Sequence, residues 1–198
     1  MNPYSESKQK VWNQIVNELN KIADKTGMPI DKGILETVAA FNALSIPTSA
    51  SCEGHLEWGD AAPWVDIESE TSEVSKRLKS EMIQEWDVAK TLDKESGSTS
   101  QIEQTLKRYH ELKSEIKRPI LVLTQKVLSL LDDFYKDRVV FVDLRLVVRD
   151  LGLDVVRIES QGAIVQEIRG IEERKRMLEA YQEEMTSFTN FLKSKFFE

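Results

Sequence analysis

The sequence predicts an α+β protein: a small, mostly antiparallel four-stranded sheet covered by helices on one face, with long helices projecting as a helical hairpin. Three observations carry this expectation. Apolar residues recur at spacings of three and four through most of the chain, the mark of amphipathic helices. Two separate stretches, 48–68 and 139–160, are short-stepped and rich in β-branched residues, each with room for two strands. The resulting order is α-α-β-β-α-α-β-β-α, and four short strands need helices on at least one face. With 198 residues the chain is expected to form a single domain over 1–198, with a helical hairpin insertion at about 70–136.

Residues 6–25 place Val11, Trp12, Ile15, Val16, Leu19, Ile22 and Ala23 on one helical stripe, which Gly27 ends and Pro29 closes off. Asp31 suits the N-cap of a second helix reaching Leu44, with Ile34, Leu35, Val38 and Phe41 on its apolar side. Thr48 to Cys52 reads as a strand entering a turn at Gly54, and Trp64 to Glu68 as the next strand. Thr71 or Ser72 caps a helix to Asp93 whose buried positions are Val74, Leu78, Met82, Trp86 and Val88. After the polar stretch 95–100, Ser100 with Glu103 fits a capping box. That helix reaches Arg118, where Pro119 kinks or restarts it, and Ile120 to Phe134 reads as its most buried part. A hairpin turning at Gly152 joins strands at 139–148 and 153–160. The last helix is expected from Ala163 to Lys195, with Ile164, Ile168 and Ile171 opening its apolar stripe.

Charge excludes some classes of function. Asp and Glu total 34 against 27 Lys and Arg, a net charge of -7, which repels phosphate backbones, so nucleic acid is not an expected partner. The apolar runs are too short for a membrane span. A single cysteine cannot form an internal disulfide, so a cytoplasmic setting is expected.

The chemistry-bearing groups concentrate in Ser51-Cys52-Glu53-Gly54-His55 and in Trp64-Val65-Asp66. If the helices cover the face of Val65, Ile67, Leu144, Leu146, Val148, Val156 and Ile158, the opposite face carries Asp66, Glu68, Arg145, Arg149, Arg157 and Glu159. The expected catalytic set is therefore Cys52, His55, Glu53 and Asp66. The expected ligand-binding set is Ser51, Trp64, Arg145, Arg157 and Glu159, with the arginines suited to a carboxylate or phosphate.

A thiolate nucleophile at Cys52 needs a nearby cation; His55, three residues on across the glycine turn, is close enough to reach it, while Glu53 and Glu57 oppose it. Zinc needs three or four ligands, and Cys52 and His55 supply two. The rest must come from Glu53, Glu57, Asp66 or His110, so no metal and no cofactor is expected from the sequence by itself. Glycine-rich phosphate loops are missing from the sequence.

Ser51 to His55, followed by Pro63-Trp64-Val65-Asp66, resembles a segment of uncharacterised bacterial proteins. Arg157-Ile158-Glu159-Ser160-Gln161-Gly162 and the region from Met185 to Phe197 are similar to the same proteins. The resemblance implies no particular activity. The wybutosine-synthesis methyltransferases of tRNA carry a distantly similar Ser-Ser-Cys-x-Gly-Arg stretch. His55 stands here in place of that arginine, and that function is not carried over.

Three readings follow. One is a small-molecule site, for an anionic ligand or for catalysis, on the open sheet face. Another is a helical interaction module, self-associating through its long helices, in which the Cys-Glu-Gly-His turn is structural. The last is a zinc-dependent hydrolase.

Overall fold

The structure, a computed structural model, describes residues 3–69, 73–94 and 98–198. The elements run α1 (Pro3–Leu19), α2 (Lys32–Ala43), β1 (Thr48–Cys52), β2 (Trp64–Glu68), α3 (Glu73–Lys94), α4 (Thr99–Tyr135), β3 (Leu146–Asp150), β4 (Val155–Ser160) and α5 (Ile171–Phe197). The four strands form one antiparallel sheet in the order β1-β2-β4-β3. The α+β class and the antiparallel four-stranded sheet are as the sequence predicts.

Alternation puts Val65, Ile67, Val156, Ile158 and Leu146 on one face, where all five are buried. Against them pack Trp12 of α1, Phe41 of α2, Ile120, Val127, Leu131, Phe134 and Tyr135 of α4, and Phe188 and Leu192 of α5. The core thus forms between the sheet and four helices, and it fixes the opposite face as the one free to carry polar groups. Within it, the hydroxyls of Thr37 and Thr189 satisfy each other at 2.7 Å.

Several elements depart from expectation for local reasons. Helix α1 stops at Leu19, because the Asn20 side chain bonds back to the Val16 carbonyl and Asp24 builds a turn of its own. The Asp24 carboxylate accepts from the Thr26 and Met28 N–H groups at 2.8 and 2.9 Å. Ser98 caps α4, two residues before the expected capping box, and α4 runs through Pro119 as a single helix of 37 residues. The expected caps of α3, Thr71 and Ser72, lie outside the described residues.

Helix α3 packs along α4 through a narrow seam of Met82, Leu112 and Ile116, so Val74, Trp86 and Val88 remain exposed. Beyond this seam α4 packs on the main core through Ile120, Val127 and Leu131, which leaves Leu121, Val122 and Leu128 exposed, a correction to the expected burial of that stretch. Strand β3 begins only at Leu146. Val142–Leu144 is a 3-10 turn, and neither Leu144 nor Arg145 belongs to the sheet.

The expected last helix is two pieces. A 3-10 segment, Gln161–Ile168, precedes α5 and leaves Ile164, Ile168 and Ile171 exposed. Polar anchors hold this segment in place: Gln166 Nε2 donates to the Ala61 carbonyl at 3.0 Å, and the Arg169 guanidinium donates to Tyr181 Oη at 3.0 Å and to the Asp143 carboxylate.

Candidate functional site

Strand register brings the predicted polar residues together. Cys52 pairs with Trp64 and Trp64 with Glu159, so these three form one row across the open face. Ala50, Asp66, Arg157 and Arg149 form the next row. Arg157 meets the Asp66 carboxylate through two hydrogen bonds of 2.7 and 3.0 Å. Its guanidinium also lies 3.6 Å from the centre of the Trp64 ring, and Asp60 approaches it at 3.4 Å. Arg149 is bound to the buried Glu159 at 3.0 Å. Burial raises the Glu159 carboxyl above the usual carboxylate range, against the pull of Arg149 and Arg157.

These pairings use up the charge expected to bind an anion. Arg157 carries two carboxylate partners, and its role on this face is to tie β4 to β2 and to the 54–63 loop. Arg145 is not part of the face. It lies outside the sheet, with its guanidinium 4.5 Å from the centre of the Tyr135 ring on α4, because the chain turns in a 3-10 segment where a strand was expected.

The other end of the row holds a different group. Cys52, the last residue of β1, is buried, and Gly54 then turns the chain with φ 88°. A Cβ on Gly54 would sit 2.6 Å from Leu178 Cδ1 and 2.8 Å from the Ala62 carbonyl carbon, so only glycine allows this turn. The turn returns His55 toward β1, where His55 N–H donates to the Asp60 carbonyl at 2.8 Å. The His55 ring stacks on Trp58 with centroids 3.7 Å apart. Its Nε2 lies 3.3 Å from Oδ2 of Asp31.

Asp31 completes the group. It precedes α2 as expected, but its carboxylate makes no hydrogen bond to that helix. Instead its Oδ2 accepts from the Glu53 N–H at 3.1 Å. Glu53 in turn caps α2, its Oε2 accepting from the Gly33 N–H at 2.7 Å. Glu53, expected to be catalytic, therefore spends its carboxylate on the helix.

Asp31, Cys52 and His55 each present a ligand atom, and these atoms lie within 4.8 Å of one another. Sulfur, imidazole nitrogen and carboxylate oxygen are the donors zinc takes, and three protein ligands with one open position describe a catalytic zinc site. Zinc bonds of 2.0–2.3 Å set tetrahedral ligands roughly 3.3–3.7 Å apart. The His55–Asp31 separation of 3.3 Å already matches that edge, and the Cys52 sulfur lies within 4.8 Å of both. Gly54 N–H donates to Cys52 Sγ at 3.3 Å, the kind of supporting bond that orients a metal thiolate.

The Cys52 thiol is pushed up by burial first and then by the carboxylates of Asp31, Asp60 and Glu53, with the Gly54 N–H opposing. That field suppresses a free thiolate nucleophile and attracts a cation.

The group borders a cleft of about 240 Å³ lined by Asp31, Ser51, Cys52, Trp58, Asp60 and Trp64. Ser51 and Trp64, both predicted, stand in this wall, whereas Asp66 lies one row away under Arg157. Asp31 is the member that sequence reading leaves out. It is separated from Cys52 by a whole helix and strand, and its one visible signal, an aspartate at a helix start, points to capping.

No protein-family model, curated protein or solved structure matches the chain. Among the described residues, no helix is long and apolar enough to cross a membrane.

Proposed function

We propose that the protein is a metal-dependent hydrolase of a small molecule, with zinc held by Asp31, Cys52 and His55 at the wall of the cleft. The observation that carries this reading is the convergence of three different donor atoms, from the start of α2, the end of β1 and the following turn, within 4.8 Å. Zinc held by these three residues would supply a Lewis acid and an activated water. The Asp60 carboxylate, which lines the same cleft and also approaches Arg157, would serve as the general base there. The burial and the surrounding carboxylates that raise the Cys52 thiol favour metal ligation over a Cys-His-Asp nucleophile.

Cobalt(II) substitution tests the ligand set. A sulfur-to-cobalt charge-transfer band is expected in the near ultraviolet, disappearing in Cys52→Ser and weakening in His55→Ala. Cobalt uptake without that band, or uptake that Cys52→Ser leaves intact, contradicts the reading. Hydrolysis of aryl esters and phosphate esters by the zinc-loaded chain, compared with the chelated chain, then sorts the substrate bond.

A second reading, an interaction module, is favoured by one observation: α3 leaves Val74, Ile83, Trp86 and Val88 exposed. Size-exclusion chromatography with light scattering over a range of concentrations tests it. A strictly monomeric chain counts against self-association through these helices.

A further inference from the structure

A second pocket lies beside the first. It has a volume of about 250 Å³, and its walls include Trp64, Arg149 and Glu159 of the sheet, Gln166 of the 3-10 segment and Arg174 of α5. Gly59, Asp60 and Trp64 line both pockets, so the two adjoin at the 54–63 loop. Each has room for roughly eight water volumes. Together they fall within the roughly 300–1,000 Å³ range of small-molecule sites.

The donor inventory of this pocket is unbalanced. Trp64 Nε1 and Arg174 Nε, on two of the side chains that line it, are buried N–H groups with no hydrogen-bond partner among the described residues. Leaving such a donor unmet costs about 1–3 kcal/mol, so each calls for an acceptor. The carboxylates in the wall are mostly engaged elsewhere: Glu159 is held by Arg149 and Asp60 by Arg157. Glu167 is the remaining one, and it is exposed to solvent. Arg174 forms no ion pair among the described residues and is half-buried, so it is the cation of the pocket without a counter-charge.

We propose that this pocket binds a carboxylate or phosphate group of the substrate, with Arg174 and the Trp64 indole N–H as its donors, and so holds the substrate beside the zinc position. That the anion belongs to a substrate rests on the metal reading above; the anion site itself does not. An arginine supplies a planar fork suited to either anion, and the indole N–H adds a fixed direction. The Trp64 ring is itself clamped by Arg157, which fixes where its N–H points.

The test uses the full chain with its metal removed by chelation, so that zinc contributes no anion binding. Inorganic phosphate and succinate are titrated separately while the indole N–H signals are followed by 15N NMR, with the Trp64 signal assigned through Trp64→Phe. The Trp64 signal is expected to move saturably with at least one anion, and the more effective anion names the source. Arg174→Gln is expected to weaken that response about tenfold or more. Arg174→Lys, which keeps the charge but loses the Nε donor, is expected to fall between them, and it serves if Arg174→Gln does not fold. Cys52→Ser is expected to respond as the parent chain does. A Trp64 signal unmoved by both anions, or moved equally in the Arg174 variants, overturns the inference. A failed metal reading registers instead as absent zinc with the anion response intact.

Discussion

Asp31 and Glu53 have exchanged tasks. The aspartate at the start of α2 leaves the helix uncapped and accepts the Glu53 N–H at 3.1 Å, while the Glu53 carboxylate crosses back to cap the helix at Gly33 N–H, 2.7 Å away. The Asp31 oxygen that accepts the Glu53 N–H, Oδ2, is also the one that stands 3.3 Å from His55 Nε2, and the exchange locks β1 to α2 at the point where the three donors meet.

Replacing the two residues should therefore have opposite effects. Glu53→Ala removes the cap and is expected to cost about 1 kcal/mol of stability with little change in zinc affinity. Asp31→Asn keeps the Asp31 carbonyl bonds to Ile34 and Leu35 and should fold nearly as well. It should nonetheless weaken zinc binding by more than about a hundredfold, beyond what loss of a supporting residue does. Chemical denaturation and zinc titration on both variants check this, and the reverse pattern would count against the exchange.

Under the zinc reading, Trp58 would act on the metal through His55. Its indole fixes the imidazole plane by stacking at 3.7 Å, and Trp58→Ala is expected to lower zinc affinity about tenfold while leaving stoichiometry unchanged. Isothermal titration resolves the two quantities. An unchanged affinity would mean the ring is held without the stack.

Gly54→Ala combines a positive φ with contacts of 2.6 and 2.8 Å to Leu178 and Ala62. A loss of about 2–3 kcal/mol is expected, read as a lower denaturation midpoint. A loss below about 0.5 kcal/mol would show that the turn can relax.

The Asp66–Arg157 pair is largely buried, with side chains 11% and 15% exposed. Asp66→Ala strands the guanidinium with only the exposed Asp60 and should cost about 3 kcal/mol. The double change to Asp66→Leu and Arg157→Met should cost less than Asp66→Ala does by itself, since neither charge is then left buried. Equilibrium unfolding of the three proteins decides it.

Glu159 carries a pH dependence of defined sign. Its carboxyl is raised above the ordinary 4.5 by burial, so the folded state holds the proton to higher pH than the unfolded state does. Stability associated with this group is greatest below that ordinary value and declines as pH rises through it toward the folded value. Urea unfolding of the parent chain and of Glu159→Gln from acid to neutral pH should show the difference shifting in favour of the variant as pH rises. A flat difference, or one of opposite slope, would contradict the burial effect.

Much of this molecule is legible in its residue pattern, and the illegible parts share a cause. The strands Thr48–Cys52 and Trp64–Glu68 and the polar face of Asp66, Arg157 and Glu159 follow from a side-chain period of two. The turn at Gly54 follows from local residue type. What escapes is set by partners distant in the chain. Arg145 leaves the face because a 3-10 turn replaces the first half of a strand, and its ring partner, Tyr135, belongs to another element. The apolar positions of Ile164 and Ile168 read as helix, yet Gln166 and Arg169 hold that segment to Ala61 and Asp143. Asp31 carries the local signature of a cap, and only the path of β1 beside α2 gives it another task.

The most direct measurement is zinc binding by the chelator-treated 198-residue chain, by equilibrium dialysis with elemental analysis. The expected result is stoichiometric zinc, retained by Glu53→Ala and lost by Asp31→Asn, Cys52→Ser and His55→Ala with each variant still folded. Substoichiometric zinc in the parent chain, or zinc that survives the loss of Cys52 and His55, would contradict a metal centre at Asp31, Cys52 and His55.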